Sequence, residues 1–219
     1  MLKNTGETVM VVAIDGPAGC GKSTVAHIIA DRLKITFLNS GSFYRGITLF
    51  LLRNNIDLND EDKIIEFAKD LDIDYVNSRL IVNGEDVEDS LHMDIVDAHV
   101  AQLSAIVKLR HIVNEKIRKI TDSLSIVCEG RDMTTVVFPN AEHKFYLDAS
   151  IDVQAERRFK QGVSNLTLEE IKESIRKRDE IDKNKTEGSL KIASDAMYID
   201  TSVLTIEDVC EIIINKILK

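Results

Sequence analysis

The residues most clearly arranged for chemistry are Gly16-Pro17-Ala18-Gly19-Cys20-Gly21-Lys22-Ser23, followed by Thr24. They fit the spacing G-x-x-x-x-G-K-[ST]. Glycines let the backbone curl until successive N–H groups converge on phosphate oxygens. A helix starting near Lys22 would add the positive end of its dipole. Lys22 then reaches the β- and γ-phosphates of a nucleotide, and the Ser23 hydroxyl ligates magnesium. On this reading Gly16 through Thr24 bind the phosphates of a nucleotide, and Ser23 is the metal ligand; an ATPase, a GTPase or a kinase would fit the loop alike. Cys20 reads either as a small residue tolerated in the loop or as a thiol whose pKa a helix N-terminus lowers, which would make it sensitive to alkylation.

Such a loop needs a strand before it and a helix behind it; otherwise it is only a glycine-rich turn. Val9–Ile14 is apolar and mostly β-branched, which predicts a strand buried on both faces. Val25, Ile28, Ile29 and Leu33 follow helical spacing and predict a helix from about Lys22 to Lys34. Further strands are expected at Thr36–Leu38, Ser125–Cys128, Lys144–Leu147 and Ala196–Ile199. Helices are expected at Ser42–Arg53, Asp60–Leu71, Asp94–Ser104, Lys108–Thr121, Ile151–Gln161, Thr167–Asp182 and from Thr205, where Asp208 completes a capping-box spacing. Asp74–Val76 and Leu80–Val82 are short strand-like runs, and Asn83-Gly84 is a hairpin signal, so a small antiparallel insert is expected at about 72–90. Strands separated by helices imply an α/β fold with a central parallel sheet flanked by helices. Ligands of such sheets bind at the carboxyl ends of the strands, where the loops after Asp15, Asn39, Glu129 and Asp148 lie.

The 219 residues, 44% of them hydrophobic, suffice for one domain with an inserted region. A net charge of −9 argues against a nucleic-acid partner and permits a small anionic ligand held by a local cationic cluster. Cys20, Cys128 and Cys210 are odd in number and widely spaced, so neither a disulfide framework nor a zinc site is indicated. Met1–Met10 holds no apolar stretch of signal-peptide length and no run of eighteen apolar residues occurs, so no membrane association and a cytoplasmic location are expected.

Several segments, spread over nearly the whole chain, resemble bacterial cytidylate kinases. They are the phosphate loop from Ile14 to Gly19, Asn39-Ser40-Gly41-Ser42-Phe43-Tyr44-Arg45, and Glu129-Gly130-Arg131-Asp132-Met133-Thr134-Thr135-Val136-Val137-Phe138-Pro139. Phe145–Ser150, Arg178-Asp179-Glu180-Ile181-Asp182 and Tyr198-Ile199-Asp200-Thr201 follow in the same order. The resemblance implies a P-loop kinase fold forming a single domain over 1–219. It implies a nucleoside-monophosphate (NMP) binding region at 42–122, which includes the insert, and a short lid at 157–190. It implies a monomer that transfers the γ-phosphoryl group of ATP, with Mg2+, to CMP or dCMP.

By that resemblance Ser40 and Asp132 hold the sugar hydroxyls, with Arg178 and Asp182 nearby. Arg45 and Arg131 grip the acceptor phosphate, and Arg110 lies by the pyrimidine or its phosphate. Lys185 belongs to the same substrate set, and Arg131, Arg157, Arg158 and Arg178 are catalytic alongside Lys22. The residue types suit the chemistry, because phosphoryl transfer is mostly positioning and charge neutralisation and arginine grips phosphate bidentately without losing its proton. Arg178 and Asp182 stand four apart and share a helix face, yet an exposed i,i+4 pair would look the same. Arg45 and Arg110 read equally as solvated residues, and Arg157, Arg158 and Arg176 as a solvated helical set. Glu129 reads as an outer magnesium carboxylate or simply as a strand-end acid.

Some positions depart from the family pattern. Asn39 replaces Asp, Ala101 replaces a Ser that helps read the base, Thr134 replaces Gly, Lys185 replaces Arg, and Leu91-His92 replaces an Ile-Arg pair. Ala101 and Lys185 predict weaker CMP binding or broader pyrimidine use. Two other readings are a kinase of the same superfamily for UMP, AMP or a small alcohol, and a nucleotide-binding module without activity.

Overall fold

The computed structural model of the chain describes residues 9–160, 162 and 166–219. Gln161, with which the sixth expected helix ends, and residues 163–165 of the expected lid lie outside the described residues, as do residues 1–8.

The central sheet is built from β1 (Val11–Asp15), β2 (Thr36–Asn39), β6 (Ile126–Gly130), β7 (His143–Asp148) and β8 (Met197–Asp200). Its order is β2-β6-β1-β7-β8, and every neighbouring pair is parallel. In β1, alternate residues enter different cores. Val12 and Ile14 pack with Val25, Ile29 and Ile213, whereas Ala13 packs with Leu38, Phe43 and Ile47. That two-sided burial follows from the unbroken apolar run, since strand side chains alternate faces.

Helices α1 (Lys22–Leu33) and α8 (Ile206–Ile217) supply the first core. The other belongs to α2 (Ser40–Arg53), α3 (Glu61–Asp70), α4 (Asp94–Leu103) and α5 (Val107–Thr121). Helices α6 (Ile151–Lys160) and α7 (Leu168–Asn184) pack together through Ala155, Ile171 and Ile175. The capping box at the start of α8 is present, with Thr205 and Asp208 bonding each other's backbone N–H, and Thr167 with Glu170 does the same for α7.

The insert lies where the sequence suggests and has one strand more than the two expected. β3 (Ile73–Val76), β4 (Arg79–Val82) and β5 (Glu85–Asp86) form an antiparallel sheet joined by two tight turns. Asn83 and Gly84 take φ of 50° and 80°, as the hairpin signal requires. Asn77 and Ser78 take φ of 52° and 60° and make a second such turn that carries no glycine to announce it. Leu80 and Val82 press on α2 at Gly46, where an added Cβ would come within 3.0 Å of Leu80 Cδ2. The segment after β6, expected to be loop, instead winds one π-turn over Met133–Val137. Among the described residues no helix is long and apolar enough to cross a membrane.

Candidate active site

Parallel pairing brings four loops to one edge of the sheet. Register sets Asp15 opposite Gly130, Asn39 opposite Glu129 and Asp148 opposite Asp200, so the chain segments that follow these residues emerge together. The phosphate loop leaves β1 at Gly16, and Gly21 at φ 96° caps α1. Lys22 is buried, with Nζ donating to Pro17 O at 2.6 Å and lying 3.6 Å from Cys20 Sγ. Burial, with nearby Arg131 and Arg178, pulls its ammonium below the usual lysine range. Ser23 Oγ donates to Glu129 Oε1 at 2.8 Å.

Most of the predicted substrate residues converge. Arg131 donates from Nε to Asp182 Oδ2 at 2.7 Å and from Nη1 to Gly16 O at 3.1 Å, bridging β6, α7 and the phosphate loop. Lys185 Nζ donates to Asp182 Oδ1 at 2.8 Å and to Ser104 Oγ at 3.3 Å. Burial opposes the Asp182 charge, yet Arg131 and Lys185 outweigh it and hold this carboxyl at about 2. Arg110 Nη2 pairs with Asp132 Oδ2, and its Nη1 donates to Ser104 O at 3.0 Å. Burial raises the Asp132 carboxyl above its ordinary range although Arg110 pulls the other way. The Arg110 guanidinium also stands over the Tyr44 ring, 5.6 Å from its centroid.

The Arg178 side chain has no hydrogen bond or ion pair among the described residues. Burial, and then the charges of Arg131, Arg45 and Arg158 against the opposing Asp182, bring its guanidinium down to about 10. Arg178 thus lies within electrostatic reach of four cations from four other elements or loops: Lys22, Arg45, Arg131 and Arg158. Arg158 likewise has no bonded partner among the described residues, and Arg45 pairs with Asp97 on α4. Ser40, the first residue of α2, is buried with its Oγ against Gly130.

Arg157 is placed differently. Its guanidinium donates to Thr201 O at 2.7 Å, to Thr201 Oγ1 at 2.9 Å and to Cys20 O at 3.3 Å. It thus ties the phosphate loop to the end of β8 and does not join the cation cluster around Arg178. Arg176, also assigned to the lid, makes an exposed pairing with Glu173.

Sequence reading passed over two carboxylates. Asp15, fully buried, accepts from Met133 N at 2.8 Å, Thr134 N at 2.7 Å and Thr134 Oγ1 at 2.6 Å. Burial pushes its carboxyl up to about 6 against those donors. An acid closing an otherwise apolar strand was the available signal. Asp179 accepts from Ala18 N at 3.2 Å and so joins α7 to the phosphate loop; only its place beside Arg178 hinted at this. Glu129, left open from sequence, is buried and bonded to Ser23.

Hard oxygen donors at Ser23 and Glu129 suit magnesium, which takes few protein ligands and completes its shell with phosphate and water. No group of three His, Cys, Asp or Glu that could hold a metal ion alone occurs among the described residues. A hollow of about 420 Å³ at Val9, Val11, Arg118 and Phe138 borders the opposite end of β1 and contains none of these groups.

The family profile described as cytidylate kinase matches residues 12–219. A cytidylate kinase of Borreliella burgdorferi is 43% identical over 212 residues, covering 94% of this chain and 96% of that protein. One from Borrelia turicatae is 44% identical over 211 residues, covering 94% and 95%. Among solved structures, an uncharacterized protein from Eubacterium ventriosum aligns with a TM-score of 0.56 at 12% identity, covering 96% of this chain and 99% of that one. Shikimate kinase from Acinetobacter baumannii in complex with shikimate aligns at 0.50 and 16%, covering 97% and 94%. At such identities the structures speak for the fold alone. A near-full-length profile match and relatives above 40% identity go further, and with the phosphate loop facing a cluster of arginines they assign the chain to the cytidylate kinase family.

Proposed function

We propose that this member of the family transfers the γ-phosphoryl group of ATP to CMP or dCMP, giving ADP and the nucleoside diphosphate. The observation that carries the reading is Arg178, a guanidinium without a bonded partner among the described residues, within electrostatic reach of Lys22, Arg45, Arg131 and Arg158. Clustered cations repel one another, and an arrangement this unfavourable in isolation suits a site whose ligand brings several negative charges.

On this reading Gly16–Thr24 cradle the ATP phosphates, and Lys22 spans the β- and γ-oxygens. Ser23 and Glu129 would hold magnesium, which would neutralise charge at those oxygens. Arg131 and Arg178 face the migrating group, where planar guanidiniums stabilise charge in the transition state without donating their protons. Arg45 grips the acceptor phosphate. Ser40, Arg110, Asp132, Asp182 and Lys185 surround the nucleoside, Arg110 coming from region 42–122 and Asp182 and Lys185 from lid 157–190. Arg157 we assign to holding the phosphate loop against Thr201. A cytoplasmic monomer is the companion proposal, supported by three free cysteines and a net charge of −9.

The test is ADP release, coupled to a reporter, with CMP, dCMP, UMP and AMP as acceptors and Lys22→Ala as the control. Turnover with CMP or dCMP that Lys22→Ala abolishes is expected. ATP binding without ADP release on any monophosphate would overturn the reading. The same panel measures selectivity: Ala101 brings no hydroxyl to the pocket and Lys185 is bound to Asp182 and Ser104, so a UMP constant approaching that of CMP is expected. A sharp CMP preference with low KM would refute that relaxation.

A further inference from the structure

The segment after α7 folds back over the acceptor side and is anchored at three points. Leu190 N donates to Asp182 O at 2.8 Å, Lys185 reaches Ser104, and His111 Nε2 lies 2.6 Å from Glu187 Oε1. Between these anchors sits Gly188, with φ of 66°. A Cβ added there would come within 3.0 Å of Arg110 Nη2, Arg110 Nε and Asp132 Oδ2. Both side chains are held by burial and by their own bonds. Both residues are 3% exposed, and Arg110 is pinned at its far end by Ser104 O. Arg110 Nε has no hydrogen-bond partner, and it is one of the atoms turned to the bare backbone of Gly188.

We infer that Gly188 is a positioning residue for the acceptor nucleoside: its Cα is the wall that holds the Arg110–Asp132 pair in the orientation the nucleoside meets. The inference rests on the reading above that this pair contacts the acceptor. A glycine can also be present only because the backbone is left-handed. This chain separates the two reasons, because Gly84 has φ of 80° with nothing within 4 Å of an added Cβ. Gly84 needs the conformation alone, and Gly188 needs the space as well.

The experiment compares Gly188→Ala, Gly188→Asn and Gly84→Ala for kcat, CMP KM, ATP KM and thermal melting. Displacing the pair by a fraction of an ångström to an ångström is expected to raise CMP KM on the order of 10- to 100-fold in both Gly188 variants. ATP KM should stay at the wild-type value, and Gly84→Ala should lower only the melting temperature. Asparagine tolerates the left-handed region better than alanine but is larger. Recovery of wild-type CMP KM in Gly188→Asn would show that conformation alone matters and overturn the inference. So would an unchanged CMP KM in both Gly188 variants, or CMP and ATP constants that rise together with a falling melting temperature. Should Gly188→Ala fail to fold, adding Arg110→Ala and Asp132→Ala together, which removes both clashing side chains and leaves neither charge unpaired, decides the matter: folding returns if the clash is the cause and stays lost if φ is. Wild-type protein inactive on every pyrimidine monophosphate would sink the acceptor reading and this inference with it, whereas active wild type with silent Gly188 variants sinks the inference alone.

Discussion

The hydroxyl of Ser23 donates to the carboxylate of Glu129 at 2.8 Å, joining the start of α1 to the end of β6 across 106 residues of sequence. Two oxygens held this way would suit a hard cation between the phosphate loop and the end of β6.

Glu129→Gln keeps the shape and weakens that seat. The Mg2+ concentration for half-maximal rate should rise about 10- to 100-fold, the range found when an outer partner of a metal is lost. Magnesium titrations at saturating ATP and CMP check it; a half-saturation matching wild type would remove Glu129 from the metal site.

Asp182 accepts from both Arg131 and Lys185, and all three side chains are largely buried. Asp182→Ala leaves two cations uncompensated, so a loss of about 3–5 kcal/mol is expected by urea unfolding at neutral pH. With the carboxyl held at about 2, below its ordinary 3.8, its stabilising share is complete above 3.8 and disappears as pH falls through about 2. Acid unfolding of wild type and variant should therefore converge in that window.

Asp15 works in the opposite sense. Its carboxyl is raised from 3.8 to about 6, so burial favours the protonated form, and the folded state gains stability as pH falls from about 6 to 3.8 relative to Asp15→Asn. Function should move the other way. Protonation weakens the acceptor that fixes Met133 and Thr134, and kcat/KM should decline below about pH 6 while the fold persists. A pH–rate profile set beside a pH–melting profile shows whether the two part company; parallel declines would contradict this account.

All three cysteines are buried, Cys20 at 1% exposure. Burial also raises the thiols of Cys128 and Cys210, which keeps them protonated and slow to react. Native protein treated with iodoacetamide should remain unlabelled by mass spectrometry and active, with labelling appearing only on unfolding. Rapid loss of activity with label on Cys20 would restore the alkylation-sensitive reading.

The parallel sheet and the phosphate loop were legible because their signals are local: an apolar run, a glycine spacing, a helical stripe. Convergence of Arg131, Arg178, Asp182 and Lys185 was legible only through resemblance, since i,i+4 spacing does not reveal what a helix face meets. The π-turn at Met133–Val137 stayed hidden because its cause is tertiary, the carboxylate of Asp15 on another strand gathering two backbone N–H groups and a hydroxyl. The place of Arg157 beside Thr201 stayed hidden for a related reason. Its neighbour Arg158 stands a helical step away, and that step separates the cation cluster from the Thr201 carbonyl. Asn77-Ser78 lacked the glycine that made Asn83-Gly84 conspicuous, although both turns adopt the same handedness.

Leu80 and Val82 rest where Gly46 leaves α2 without a side chain. The three-stranded appendage is therefore no detachable cassette. Trimming it would strip an apolar flank from the helix that carries Arg45, and restoring a closed surface would demand a larger residue at position 46 in the same step.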